Sequence, residues 1–143
     1  DGYINLYTLP LSKLIRMIKV PTNNLQYVFL CESPLPIIIA ITEENNFSEI
    51  FVYSINGKLL FRQKEQNNIS SPKIIKDLNS NDFLVYICNS NICIRSIPNL
   101  IIQALVEDLP GIYAIFTNSD KTILYGTNRN GNEIYLIKND PKS

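Results

Sequence analysis

Histidine and tryptophan are absent from this 143-residue sequence, and only one methionine, three cysteines and five glycines are present. Without histidine, neither a Ser-His-Asp nor a Cys-His catalytic set can form within the chain. Zinc sites that use histidine are excluded as well, and three cysteines cannot complete a site with four cysteine ligands. We therefore expect no catalytic residue, no metal and no cofactor.

The sequence also lacks a net charge and a long apolar run. Thirteen Lys and Arg balance thirteen Asp and Glu, so no general attraction toward nucleic acid or an anionic membrane is expected. No apolar stretch reaches the roughly 18 residues that suggest a transmembrane helix, and no signal-peptide pattern opens the chain.

An odd number of cysteines, Cys31, Cys88 and Cys93, is typical of free thiols in a reducing compartment. We expect a cytoplasmic protein whose membrane association, if any, is peripheral. Cys88 and Cys93 flank a short turn and could face each other, but small buried apolar residues are the favoured interpretation. The chain opens on Asp1-Gly2 without an initiator Met, and we expect it to be a piece of a longer protein.

The segment Phe51–Phe61 contains the strongest local signal, two apolar β-prone runs around Asn56-Gly57. This dipeptide favours a type I′ hairpin turn, which needs positive φ at both central residues. We predict a β-hairpin here, in which Lys58 begins the second strand.

Short runs similar to the first strand of this hairpin recur along the chain. They begin at steps of 46, 42 and 42 residues, at Ile4, Ile50, Ile92 and Ile134. This period is close to the length of one four-stranded propeller blade. The repeats thus favour a propeller-type arrangement.

The fold prediction is all-β: a partial WD40-like β-propeller of about three to three and a half four-stranded antiparallel blades. Residues 66–71 are interpreted as a linker without apolar periodicity. The predicted units are the end of one blade at 1–20, blades at 25–64 and 72–106, and a last blade of three strands at 111–138.

Two segments also have the apolar spacing of amphipathic helices, residues 11–19 and 99–108. Both align with the second strand of the Asn-Gly hairpin, and both are short. Strand is the favoured interpretation for each, and helix stays the alternative.

The last unit resembles a WD-type repeat. The resemblance lies in the turn at Asp120, the small strand end at Gly126 and Thr127, and a strand that starts with Gly131 and continues through Ile134 and Leu136. The terminal Trp-Asp pair of such repeats is absent. Arg95-Ser96 stands at its place in one repeat, and the corresponding hydrogen-bond network is not predicted.

A narrower resemblance is to the C-terminal propeller of BEACH-domain proteins of the neurobeachin and lysosomal-trafficking-regulator type. It is carried by 1–8, by Leu14-Ile15-Arg16, and above all by a hairpin motif comprising Ser54, Ile55, Asn56, Gly57 and Lys58. The resemblance implies a large cytosolic scaffold that acts in vesicle trafficking and membrane dynamics. The propeller would be its non-catalytic platform for protein–protein interaction.

The expected partners are proteins that bind the propeller faces and loops. At the open edges we expect either the remaining blades of the parent chain or another copy; membrane contact would be only indirect, through the parent protein. Two alternatives stay open: a stand-alone β-sandwich or barrel that binds a ligand, and a propeller-type enzyme using Asp82 or Asp120.

Overall fold

The computed structural model describes residues 2–7, 13–22, 24–32, 34–107, 109, 111–118, 123–128 and 134–138. Within these ranges the chain is all-β and contains no helix. The strands, in chain order, are β1 Tyr3–Tyr7, β2 Leu14–Lys19, β3 Leu25–Cys31, β4 Ile37–Glu43, β5 Ser48–Ser54, β6 Leu59–Glu65, β7 Ile69–Lys76, β8 Asp82–Cys88, β9 Asn91–Ser96, β10 Ile102–Val106, β11 Ile112–Thr117, β12 Ile123–Asn128 and β13 Ile134–Lys138.

The strands form four antiparallel sheets in which consecutive strands are neighbours. The first sheet is β1–β2, the second is β3–β6, the third is β7–β10 and the fourth is β11–β13. Two four-stranded meanders flanked by two shorter sheets match the predicted partial propeller-like arrangement. The strands that begin each meander, β3, β7 and β11, are called the inner strands below; β2, β6 and β10 are the outer strands.

The core lies between the sheets, because the middle strands are buried on both faces. On β4, Ile37, Ile39 and Ile41 belong to the apolar cluster shared with the third sheet. Ile38 and Ala40, between them in sequence, belong to the cluster shared with the first sheet. Successive side chains of a strand point to opposite faces, so the uninterrupted apolar run of β4 serves two interfaces at once.

The two segments with helix-like apolar spacing contain the outer strands β2 and β10. β2 pairs with β1, and β10 pairs with β9. Ile18 of β2 is buried against the second sheet. The favoured strand interpretation is therefore confirmed for the strand residues of both segments. Apolar spacing alone was ambiguous because both segments are short.

A β-bulge recurs at the same place in the repeat. The unpaired extra residue lies in the outer strand each time, at Ile15, Leu60 and Gln103. In the strand that pairs with each outer strand, the register shift falls at the same place. It lies between the second and third residues after Ile4, Ile50 and Ile92, respectively. The structural repeat therefore follows the sequence repeat through the first three sheets.

The predicted linker at 66–71 is wrong in its second half, because β7 begins at Ile69. The pairing with β8 is irregular between Ser70 and Lys73, and Ser71 has a φ of 51°. An irregular strand that carries serines has no clear alternation of apolar residues, which explains the error.

The Asn56-Gly57 hairpin is present, but its predicted turn type is wrong. Gly57 has a φ of 88°, whereas Asn56 has no positive φ. Gly57 N donates to Ser54 O at 2.9 Å, and Ser54 N donates to Lys58 O at 2.8 Å. These bonds fit a three-residue loop in which a turn is followed by a left-handed glycine.

The φ pattern of a type I′ turn occurs instead between β8 and β9. There Asn89 has a φ of 54° and Ser90 a φ of 62°, and the flanking residues Cys88 and Asn91 are paired. The sequence signal for this turn is weak because serine stands where glycine is preferred.

Candidate functional site

A cavity of about 370 Å³ opens where the three inner strands approach one another. Its lining combines apolar and charged side chains from the second, third and fourth sheets: Phe29, Leu30, Glu32, Lys73, Ile74, Lys76, Asp82 and Thr117. We call it the inner cleft. A concave site with a few polar groups among apolar ones is the common form of a binding site.

Asp82 joins two walls of the inner cleft. Its side chain is only 4% exposed, and its Oδ2 accepts a hydrogen bond from Glu32 N of the second sheet at 3.2 Å. Its Oδ1 accepts one from Lys76 Nζ at 2.6 Å. This hydrogen bond raises the pKa of Lys76, with a further contribution from the Asp82 charge. The carboxylate thus fastens the second sheet to the third.

Lys73 differs from Lys76 because it forms no ion pair or side-chain hydrogen bond with the described part of the chain. It lies in the cleft lining together with Phe29, Leu30 and Ile74. Leu30 is 61% exposed, so apolar surface is accessible at the cleft. An available ammonium next to exposed apolar surface can hold a ligand that carries both a carboxylate and an apolar group.

A second polar cluster is buried at the outer side of the interface between the second and third sheets. Arg95 Nε donates to Tyr86 Oη at 2.7 Å, and Arg95 Nη1 donates to Leu100 O at 2.6 Å. Tyr86 Oη donates to Glu65 Oε2 at 2.9 Å, and Glu65 Oε1 also accepts from Arg95 Nη2 at 3.4 Å. Burial is the main reason why the pKa of Tyr86 is raised. Because these side chains form hydrogen bonds with one another and with a backbone carbonyl, the cluster has a structural role.

Two serines fasten neighbouring sheets through the backbone. Ser48 Oγ of β5 accepts a hydrogen bond from Ile69 N of β7 at 2.9 Å. Ser71 Oγ of β7 accepts one from Ile115 N of β11 at 2.9 Å and lies 3.3 Å from Ile115 O. These contacts help position β7 and β11, both of which contribute to the inner cleft.

The residues of the predicted hairpin motif lie at the β5–β6 turn and do not line the inner cleft. Lys58 N donates to Ser54 Oγ at 3.2 Å. A Cβ atom at Gly57 would lie 3.4 Å from Arg16 Cδ and 3.5 Å from Ile18 Cγ1 of β2. The turn therefore approaches the first sheet, and the motif has a structural place in the fold.

The predicted site residues of the last unit have different outcomes. Gly126 lies in β12, which ends at Asn128, one residue beyond the predicted strand end at Gly126 and Thr127, and it pairs with Ile115. A Cβ atom there would lie 2.8 Å from Ile112 Cδ1, so a larger residue would require the Ile112 side chain to shift. Asp120 and Gly131 lie outside the described residues. Of the two acids considered for an enzyme, Asp82 therefore lies in the cleft, and the position of Asp120 is not described.

All three cysteines are buried free thiols. Cys88 pairs with Asn91 and Cys93 with Tyr86, so the two are not direct cross-strand neighbours. Burial, with the nearby Glu65 charge, raises the pKa of Cys88 to about 11 and also raises that of Cys93. Their favoured interpretation as core residues is confirmed. Among the described residues, no group of three or more acidic or cysteine side chains is arranged to hold a metal.

The sequence did not predict the inner cleft or the Arg95 cluster. Glu32 and Asp82 are 50 positions apart, and they meet only because consecutive sheets stack. A usable signal was the charged Arg95 within the apolar strand that precedes Ile97, at a repeat position where Tyr7 and Tyr53 stand in other copies.

Comparisons with known proteins give matches among solved structures only. No family model matches the chain, and no curated protein matches it. A crystal structure of a protein of unknown function from Bacteroides caccae is similar at 13% sequence identity, with a TM-score of 0.47. The match covers 96% of this chain and 57% of that chain, so this chain spans little more than half of that protein. In the described residues, no helix has the length and apolarity needed to cross a membrane.

Proposed function

We propose that the chain is a non-catalytic platform for protein–protein interaction in a large cytoplasmic scaffold of BEACH-domain type, which acts in vesicle trafficking and membrane dynamics. The family part of the proposal is supported by the resemblance of the hairpin motif around Gly57 and of the last unit. The binding part is supported by one structural observation, the exposed apolar surface beside the inner cleft.

That surface belongs to the inner strand β3. Val28 and Leu30 are both exposed, and Phe29 and Leu30 line the cleft together with the available Lys73. Apolar side chains that cluster beside polar groups mark protein interaction sites on many surfaces. A polypeptide supplies both complements, a carboxylate for Lys73 and an apolar side chain for Leu30.

The alternatives lack such support. A β-sandwich would place its strands in two facing sheets, whereas the described strands form four sheets. For an enzyme, Asp82 was the candidate acid in this part of the chain. Each of its two carboxylate oxygens accepts one hydrogen bond, Oδ2 from Glu32 N and Oδ1 from Lys76 Nζ. These contacts favour a role in fastening the sheets.

Quantitative capture of proteins from a cytosolic extract tests the proposal. We expect Leu30→Glu to reduce the captured proteins at least about tenfold, equivalent to about 1.4 kcal/mol of binding free energy. Leu59→Glu is the matched control, because Leu59 is an exposed leucine on the outer strand β6. Equal loss in both variants, or no capture by the unmodified chain, would contradict the proposal. The trafficking assignment further requires the captured proteins to fractionate with vesicle membranes.

A further inference from the structure

The inner strand of the second sheet, β3, has one edge that no strand of the described chain covers. The sheet order is β3-β4-β5-β6, so β3 pairs with β4 on one side only. This pairing is regular from Tyr27 to Cys31. The open edge belongs to the wall of the inner cleft, because Phe29 and Leu30 line the cavity.

Hydrogen bonding between β3 and β4 determines which backbone groups of β3 point to the open edge. Glu43 N, at the end of β4, donates to Asn24 O, just before β3, at 2.9 Å. Residues of an antiparallel strand bond alternately to its two neighbours, so Ile39, four positions before Glu43, also directs its backbone groups toward β3. Phe29 lies opposite Ile39 and therefore uses its N–H and C=O within the ladder.

Val28 and Leu30, on either side of Phe29, consequently direct their N–H and C=O groups to the open edge. A separate contact agrees with this assignment, since Glu32 N, two residues after Leu30, points away from β4 and donates to Asp82 Oδ2 at 3.2 Å. With the described part of the chain, neither Val28 nor Leu30 forms a backbone hydrogen bond outside the β3–β4 ladder. Their backbone groups can therefore pair with an additional strand.

The side chains of β3 alternate between the two faces of the sheet. Phe29 packs against the apolar cluster shared with the third sheet, on the side from which Lys73 and Ile74 line the cleft. Val28 and Leu30 lie on the opposite face, where both are exposed. A strand added to this edge would place its side chains alternately toward Lys73 and beside Val28 and Leu30.

The charges of the cleft favour an acidic side chain on the face of Lys73. Lys76 Nζ already donates to Asp82 Oδ1 at 2.6 Å. This hydrogen bond is the main reason why the pKa of Lys76 is raised, and the charge of Glu32 contributes in the same direction. Lys73 has no carboxylate partner among the described residues. A ligand carboxylate is therefore best placed opposite Lys73.

We propose that a polypeptide segment binds the inner cleft as an added antiparallel strand on β3, with one acidic residue between two apolar residues. This inference rests on the proposed function and specifies its binding mode. The apolar residues lie opposite Leu30 and Val28 and exchange backbone hydrogen bonds with them, and the acidic residue lies opposite Phe29 with its carboxylate toward Lys73. Antiparallel pairing continues the pattern of the sheet and is slightly more stable than parallel pairing.

N-methylation of single amides in the ligand tests this geometry. The probe is an acetylated and amidated Leu-Glu-Leu peptide, and its binding is followed by the NMR shifts of Phe29 and Ile74. N-methylation of either leucine removes a donor that faces β3 and should weaken binding at least about fivefold. N-methylation of the glutamate is the matched control, because its N–H points away from β3, and it should leave the affinity unchanged.

Hydrogen exchange gives a second measurement, made on the chain itself. The amides of Val28 and Leu30 should exchange at least about threefold more slowly with saturating peptide, whereas the amide of Phe29 should be protected in both states. Val28→Pro removes a donor at the open edge without removing a ladder bond and should weaken binding at least about fivefold relative to Val28→Ala. Circular dichroism confirms that both variants fold.

The outcomes separate the binding mode from the proposed function. Equal affinity of all four peptides, with shifts at the cleft, would overturn the added strand and leave polypeptide binding intact. Weaker binding after N-methylation of the glutamate but not of the leucines would indicate parallel pairing and would also overturn the proposal. No shift with the unmodified peptide would contradict the proposed function and the binding mode together.

Discussion

Arg95 Nε lies 2.7 Å from Tyr86 Oη, and both side chains are buried between the second and third sheets. Glu65 balances the charge of Arg95, and Leu100 O takes a further guanidinium hydrogen bond. Leu100 has a φ of 59°, a conformation that is costly for a leucine. The guanidinium therefore holds a strained turn and the sheet interface at the same time.

Arg95→Leu should destabilise the fold by about 3 kcal/mol, because it leaves the partly buried Glu65 and the carbonyl of the buried Leu100 without their cationic partner. Urea unfolding monitored by circular dichroism measures the change in the free energy of unfolding. Arg62→Leu is the control, since it breaks the more exposed pair with Glu49 and should cost no more than about 1 kcal/mol. Similar losses of unfolding free energy in both variants would show that the Arg95 cluster stabilises the fold no more than an exposed ion pair.

Stability should fall as the pH rises above 9, the ordinary pKa of a cysteine thiol. The pKa of Cys88 is raised to about 11 in the folded chain, so the unfolded chain loses this proton first. Between these values the folded state binds more protons, and the free energy of unfolding decreases by up to about 1.4 kcal/mol per pH unit for this group.

Urea unfolding at several pH values measures that slope, and Cys88→Ala should make it shallower. The slope should not vanish in the variant, because the pKa values of Cys93 and Tyr86 are raised as well. An identical slope in the variant and the unmodified chain would contradict the assignment to Cys88.

Ser90→Gly should stabilise the chain by up to about 1 kcal/mol. Ser90 has a positive φ in the turn between β8 and β9, and glycine adopts this conformation without the steric cost of a Cβ atom. Thermal unfolding checks the expected rise in Tm. The reciprocal variant Gly57→Ala should destabilise, because Gly57 has a φ of 88°. A fall in Tm for Ser90→Gly would mean that strain at this turn is negligible.

Ser71→Ala should loosen the contact between the third and fourth sheets. It removes the acceptor for Ile115 N, and an unsatisfied partly buried amide costs about 1–3 kcal/mol. Hydrogen exchange should become faster at β11 while the middle strands of the second sheet stay protected. Ser70→Ala, at the exposed neighbouring serine, is the control. Unchanged exchange at β11 would show that Ser71 does not fasten the two sheets.

The sequence was sufficient for the architecture because the apolar pattern carries it. The runs that begin at Ile4, Ile50 and Ile92 each became the third strand of a meander, or its equivalent in the first sheet. The helix-like spacing around Ile15 stayed ambiguous until strand pairing was known. The Asn56-Gly57 signal predicted the hairpin but not its loop length, since a left-handed glycine serves several turn types.

Contacts between sheets could not be predicted. Ser71 stands in a polar stretch whose sequence predicts a linker, whereas its hydroxyl fastens β7 to β11. Arginine is seldom buried, so the position of Arg95 within an apolar strand was the only sequence signal for its burial, and it did not identify the partners of the side chain. The inner cleft depends on the stacking of separate repeats, and one sequence without its relatives gives no information on which distant residues meet.

The central claim, that the inner cleft binds polypeptide, is tested most directly by an NMR titration of the labelled chain. The probe is a short acetylated and amidated Leu-Glu-Leu peptide, compared with Leu-Lys-Leu. We predict that only the acidic peptide shifts resonances of Phe29, Lys73 and Ile74, and that Lys73→Glu abolishes the shifts while Lys64→Glu on β6 does not. Equal binding of both peptides, shifts confined to the outer strands, or no effect of Lys73→Glu would contradict the account.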